Sequence, residues 1–326
     1  MARFFSGIQP TGDVHLGNYL GAIRRWARTQ HENDAIYCLV DLHALTIPKD
    51  PGELRDKTAE LALLLVACGL DPDVVTLFAQ SQVHEHAELG WIMECTAAFG
   101  ELRRMTQFKD KSDRAEFVSA GLFTYPALMA ADILLYDTDK VPVGDDQRQH
   151  LELARDVATR FNHRYGETFV VPEPAIAEVA ARVMDLQEPT NKMSKSIDSP
   201  QGTVLVLDPP EVIVRKFKRA VTDSDNEVHY DPVAKPGVAN LLSILAAATD
   251  ADPAALAEKY SQYGQLKSDT ADAVVELLRP VQQRFAQLSA DPETAPALLR
   301  QGAEKAQSRA AAKMVQVRAR LGLPAL

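Results

Sequence analysis

Lys192 and Lys195 stand three residues apart in Pro-Thr-Asn-Lys-Met-Ser-Lys-Ser-Ile-Asp, residues 189–198, among small polar side chains and outside any apolar periodicity. That setting argues against packing, so the pair reads as two cations presented on a loop to an anion. A second segment could meet the same anion. Gly7, Gly12, Gly17 and Gly21 fall within fifteen residues of "SGIQPTGDVHLGNYLG", with Pro10 and Thr11 at a turn and a helix expected from about Gly17-Asn18. Glycines let backbone N–H groups approach a phosphate, and a helix start adds the positive end of its dipole. The spacing is neither GxGxxG nor GxxxxGK[ST], and a plain strand-to-helix turn explains the glycines equally well. His15 stands just before that helix as a donor.

A third feature is a lone charge. Asp132 is the only charged residue in "YPALMAADILLY", where Pro126 suits a first helical turn and Tyr125, Met129 and Asp132 share one face. A carboxylate aimed into apolar surroundings needs a donor. Two partners are open: an internal Lys or Arg, or a ligand with an N–H on a large apolar body. In "VPVGDDQRQHLEL" a strand, a tight Gly144 and a helix opening with Asp145 and Asp146 are expected, the acids being ordinary dipole complements. "FKDKS" supplies Lys109 and Lys111.

These residues need a scaffold. "RFFSG", "AIYCLVDLHAL" and "VVTLFAQ" read as strands; "NYLGAIRRWARTQ", "PGELRDKTAELALLLVACGL" (ending at Gly69) and "HEHAELGWIMECTAAF" read as helices. The βαβαβα order predicts an α/β fold: a Rossmann-like parallel sheet with helices on both faces and its ligand crevice at the carboxyl ends of the strands. After about residue 208 only helical patterns follow, with Pro280 expected to kink or interrupt the longest. The predicted organisation is a catalytic domain over 1–200, with part of the C-terminal helix packing back on it, and an all-helical domain over 201–326.

Composition bounds the rest. The 326 residues are 46% hydrophobic and 25% charged, with net charge −10, the balance of a soluble globular protein. No apolar run reaches the roughly 18 residues of a membrane span. "MARFFSGIQP" does not read as a signal peptide. Cys38, Cys68 and Cys95 form no CxxC pair and are each expected buried, which points to the cytoplasm and to no protein-held metal. The acidic balance argues against a generally basic nucleic-acid coat. Two patches are locally basic: 215–219, "RKFKR", and 300–320, with six basic residues against Glu304. Solvated helix faces are the plainer reading of both.

His15-Leu16-Gly17-Asn18 followed in the second half by Lys-Met-Ser-Lys-Ser resembles the two signature motifs of the class I aminoacyl-tRNA synthetases, with Asn18 where the class pattern has His. "FSGIQPTG", "VDLHALT", "GELRRMTQFKDKS", "SAGLFTYPALMAADILLYDTDKVPVGDDQRQHLELARD", "PTNKMSKS" and "AVTDS" extend the resemblance, over nearly the whole chain, to the bacterial tryptophanyl branch. The resemblance implies ATP and L-tryptophan as substrates, Mg²⁺ held mainly by phosphates, tRNA(Trp) as partner and a homodimer. It implies that Asp132 receives the indole N–H, that Phe5, Gly7, Met129, Val141 and Val143 surround the ring, and that Tyr125 and Gln147 hold the ammonium with His43 near the ring edge. Gln9, Pro10, Thr11, Gly17 and Asn18 would meet ATP from the first motif. Gly144, Asp145 and Asp146 would contact ribose and adenine, Asp145 standing where relatives often have Glu, and Val183 would lie against adenine. Lys192, Met193, Ser194, Lys195 and Ser196 would form the phosphate loop, with Lys111 a further triphosphate contact. Lys192, Lys195 and Lys111 would be the catalytic cations, neutralising charge on departing pyrophosphate. No protein nucleophile is needed for such a displacement.

Two rivals remain at this point. A tyrosyl-tRNA synthetase would share fold and motifs, against which "GDDQ" and "FFSGIQPTG" weigh. A synthetase-like nucleotidyltransferase or regulatory protein would lack tRNA charging, against which the helical half weighs. In a charging enzyme, Lys305, Arg309, Lys313 and Arg320 are candidate tRNA contacts.

Overall fold

The computed structural model describes residues 1–106, 117–142, 144, 147–175, 182–193 and 200–324. Five strands, β1 (Arg3–Ile8), β2 (Asp34–Leu39), β3 (Thr76–Ala79), β4 (Lys140–Pro142) and β5 (Glu173–Ala175), form one sheet in the order β3-β2-β1-β4-β5. Every pairing is parallel. The order reverses at β1, so the crevice for a ligand lies beyond the carboxyl ends of β1 and β4.

The helices between them are α1 (Leu16–Asn18), a π-helical turn at Tyr19–Ile23, α2 (Arg24–Thr29), α3 (Asp41–Ala44), α4 (Pro51–Ala67), α5 (Glu85–Thr96), α6 (Phe99–Arg103), α7 (Ala120–Leu134) and α8 (Arg148–Tyr165). Then follow α9 (Pro210–Lys218), α10 (Pro236–Thr249), α11 (Pro253–Ala257), α12 (Tyr263–Ser289) and α13 (Thr294–Leu321). Alternation along β2 sends Tyr37 and Leu39 into a core shared with α4, α10 and α12, and Ile36 and Cys38 into a core shared with α5, α7 and α8. Gly69 ends the α4 turn at φ +107, as expected of a glycine after a helix.

Several expectations shift. The run 35–45 is strand only to Leu39; Asp41 then opens the short α3. Pro126 lies inside α7, because Ser119 caps that helix a full turn earlier by accepting from Leu122 N–H (3.1 Å). Pro280 likewise sits within a continuous α12. α8 starts at Arg148 with no acid in its first turn. Cys38 and Cys68 are buried but Cys95 is exposed.

The last helix returns to the sheet. A Cβ on Gly302 would fall 1.7 Å from the Leu77 carbonyl oxygen, so only glycine allows α13 to lie this close to β3. The basic strip is consumed in this docking. Lys305 donates to Pro72 O, Arg309 pairs with Asp34 (2.9 Å), Lys313 pairs with Asp137 and donates to Thr168 O, and Arg320 donates to Glu167 O. Each of the four thus has a partner within the fold, while Arg320 stays exposed. In "RKFKR", Lys216 is buried against Asp208 (2.6 Å), while Arg215, Lys218 and Arg219 stay exposed.

Candidate active site

A cavity of about 320 Å³ opens beside the ends of β1 and β4, at the small end of the roughly 300–1,000 Å³ typical of small-molecule sites. The chain's folding brings eight of the nine residues expected around tryptophan to its wall: Phe5, Gly7, His43, Tyr125, Met129, Asp132, Val141 and Gln147. Val143 lies outside the described residues. Ser6, Val40, Ile133 and Pro142 also line it, as does Gln9, which the sequence reading gave to ATP.

Asp132 is 1% exposed, yet among the described residues its partners are not Lys or Arg. Its Oδ1 accepts from Gln80 Nε2 (2.7 Å) and meets His86 Nδ1 (2.7 Å), and its Oδ2 meets His43 Nε2 (2.8 Å). Burial pushes this carboxyl up, but the two imidazoles outweigh burial and hold it at about 2. His86 Nε2 lies 2.7 Å from the Tyr136 hydroxyl. With Tyr136 O–H donating to Nε2, Nδ1–H is left to donate to Asp132. Tyr136 stacks on Phe5, ring centroids 5.8 Å apart, so the same ring supports the cavity wall. An ionised carboxylate has about four acceptor positions. Among the described residues three are filled, two of them on Oδ1, which leaves a position on Oδ2 for a donor in the cavity.

Gln80, His86 and Tyr136 were not legible as site residues. Gln80 directly follows β3 and His86 sits on α5, both fully buried and more than 45 residues from Asp132 in sequence. Polar side chains in otherwise apolar segments were the available signal. At the other end of the cavity, the Tyr125 hydroxyl lies 2.7 Å from His150 Nε2, and burial raises that phenol to about 12.

The glycine loop follows β1. Gly12 takes φ +72, and Pro10 is buried while Gln9 is exposed. His15 caps α1: its Nδ1 accepts from Asn18 N–H (3.3 Å) while its own N–H donates to Asn18 Oδ1 (3.2 Å). Asn18 thereby uses its oxygen within the loop and keeps its NH₂ as a donor. A Cβ on Gly17 would crowd the His15 ring at 3.0 Å and sit 3.6 Å from Val183 Cβ, so this glycine lies between the first motif and the start of the lysine segment. Leu16 N–H donates to Val204 O (2.8 Å) and Val206 N–H to Val14 O (2.9 Å), joining the chain beyond the lysine loop to the same turn. Met193 is buried in the core and Lys192 is exposed. Gly144 is exposed. Lys109, Lys111, Asp145, Asp146, Ser194, Lys195 and Ser196 lie outside the described residues. Among the described residues no group of three or more His, Cys, Asp and Glu converges on a metal position, and no helix is long and apolar enough to cross a membrane.

A parallel sheet with a glycine turn and a lysine-bearing hairpin at its switch point, beside an apolar pocket with one buried carboxylate, defines a nucleotide-dependent ligase of the class I synthetase type. The family model described as tRNA synthetases class I (W and Y) matches residues 1–279, and the chain belongs to that family. It is 57% identical to tryptophan–tRNA ligase 1 of Streptomyces coelicolor over 315 residues, covering 95% of this chain and 94% of that one. Among solved structures, it resembles tryptophanyl-tRNA synthetase of Mycoplasma pneumoniae with TM-score 0.91 and 37% identity, covering 99% of this chain and 98% of that one. The Campylobacter jejuni tryptophanyl-tRNA synthetase, solved with ADP and tryptophan, is similar with TM-score 0.86 and 33% identity, covering 98% of this chain and all of that one.

Proposed function

We infer that the chain is a tryptophan–tRNA ligase. A carboxylate oxygen of L-tryptophan attacks the α-phosphorus of ATP, the bond to the β-phosphate bridging oxygen breaks, and pyrophosphate leaves. A hydroxyl of the terminal adenosine of tRNA(Trp) then takes the acyl group, and AMP leaves. The carrying observation is the remaining acceptor position on Asp132, which suits a guest whose apolar body has a single N–H to donate. Phenylalanine would leave that carboxylate short of a partner, and sites built this way reject such analogues by about 10⁴–10⁵.

In this reading Phe5, Gly7, Met129, Val141 and Val143 enclose the indole, His43 steadies Asp132 from the ring edge, and Tyr125 and Gln147 meet the ammonium. Gln9, Pro10, Thr11, Gly17, Asn18, Gly144, Asp145, Asp146 and Val183 bind ATP. Lys192, Lys195 and Lys111 stabilise charge on the leaving phosphates, with Met193, Ser194 and Ser196 shaping their loop. Mg²⁺ arrives with ATP on the phosphate oxygens. Residues 1–200 form the catalytic domain and the helical remainder receives tRNA, in the cytoplasm. The protein is a homodimer, joined through the groove that Leu45 and Trp91 line, both more than half exposed. The test is attachment of labelled tryptophan to total tRNA, with tyrosine in parallel. Charging with tyrosine instead, or with neither, overturns the reading.

A further inference from the structure

The segment that carries Lys192 is held by a side chain that nothing above uses. Met184 and Lys192 face each other as an antiparallel bridge. The backbone bonds lie on either side of this pair: Met193 N–H donates to Val183 O (3.1 Å) and Asp185 N–H to Asn191 O (2.9 Å). Met184 and Lys192 are therefore the non-hydrogen-bonded pair of the ladder, and the N–H and C=O of Met184 point away from the lysine strand. Asn240, on α10, takes both. Its Oδ1 accepts from Met184 N–H at 2.9 Å, and its Nδ2 donates to Met184 O at 2.9 Å. One side-chain amide thus completes the hairpin's outer edge as a third strand would.

The fit is specific to this amide. Asn240 is 4% exposed and lies among buried Val238, Leu241 and Leu242. Aspartate has the acceptor but no donor, leucine has neither, and glutamine is longer by one methylene. The far end of α10 is fixed as well: Arg24 donates to Ala247 O, and Arg24 and Arg28 pair with Asp250, which caps the helix. A chain of bonds therefore runs from α2, which continues the nucleotide-binding turn, through α10 and Asn240 to the strand of Lys192.

We propose that Asn240 is a positioning residue for the activation step, setting the placement of Lys192 relative to the nucleotide helix. The proposal rests on Lys192 acting on the phosphates. Asn240 touches no substrate; its effect passes through the lysine strand.

The experiment is a double-mutant cycle read by tryptophan-dependent ATP–pyrophosphate exchange, with Asn240→Leu, Lys192→Ala and the pair. Asn240→Leu is expected to lower kcat by about 10²-fold, the loss that a displacement of about 1 Å at a charge-neutralising group produces, while the KM for tryptophan stays near wild type. In the Lys192→Ala background the same substitution is expected to cost little more. Asn240→Asp, which keeps the shape and sets a carboxylate against Met184 O, should repeat the kcat-specific loss and covers the case in which the leucine variant does not fold. An unchanged kcat, an equal loss in both backgrounds, or a rise in KM without a fall in kcat overturns the proposal. If Lys192→Ala alone leaves exchange intact, the role of Lys192 has failed, and with it the ground for the proposal. A loss in Lys192→Ala with no loss in the Asn240 variants refutes Asn240 alone.

Discussion

Replacing Asp132 by asparagine tests the pocket with almost no change of shape. The carboxamide oxygen can stay where Gln80 Nε2 and the His86 imidazole meet Oδ1. The NH₂ then takes the place of Oδ2, where His43 lies at 2.8 Å. His43 can change tautomer and accept from it. The indole N–H cannot: it meets a donor where it had an acceptor. The substitution removes a hydrogen bond to a charged group, about 1.5–3 kcal/mol, and strands a buried donor, about 1–3 kcal/mol. A loss of about 3–5 kcal/mol is about 10²- to 10⁴-fold in kcat/KM for tryptophan. Because the carboxyl is held at about 2, it is ionised throughout the working range, and the deficit should be the same from mildly acid to mildly alkaline pH. The assay is exchange with tryptophan and with 3-benzothienylalanine, which replaces the N–H by sulfur at similar volume. Wild type should discriminate strongly between the two, and Asp132→Asn weakly, with the KM for ATP unaffected. A variant that uses tryptophan within tenfold of wild type, or a wild-type enzyme indifferent to the sulfur analogue, would refute the reasoning.

Lys195→Ala should lower the exchange kcat far more than the affinity for either substrate, since the charge it meets develops as pyrophosphate departs; steady-state exchange with equilibrium binding checks the split. Gly302→Ala cannot be accommodated without moving α13 off the Leu77 carbonyl and should destabilise by at least about 1–3 kcal/mol, read by denaturant unfolding. Trp91→Glu places a charge in the exposed apolar groove and, for the proposed homodimer, should give monomer in sedimentation, with the wall of the Asp132 cavity disturbed through Tyr125, which borders both the cavity and the groove beside Trp91.

Local pattern carried the reading wherever a residue's role depends on its neighbours in sequence. The period along α7 put Tyr125, Met129 and Asp132 on one face, and all three line the same cavity although the helix starts a turn earlier than the proline suggested. The βαβ order predicted a parallel sheet with helices on both faces, and every pairing among the described strands is parallel. Pattern did not reveal the partners of charges, because a lysine's partner is a property of the fold. Lys305, Arg309, Lys313 and Arg320 recur along one helix as a nucleic-acid strip would, yet each is bonded to the sheet or its loops. The same limit hid Gln80 and His86.

That limit also changes what the buried acid means. The alternatives for Asp132 were an internal partner or a ligand, and the network shows they are not exclusive. Had a single Arg paired with it in fork geometry, both oxygens would be engaged and the pocket would face a neutralised group. Here an amide and one imidazole meet Oδ1, and a second imidazole approaches Oδ2. The carboxylate stays ionised while buried, which an unassisted acid would not. It lines the cavity, and among the described residues Oδ2 has a single partner. In the proposed function the internal partners thus serve specificity: they stabilise the anion while leaving the acceptor that the proposed indole guest requires.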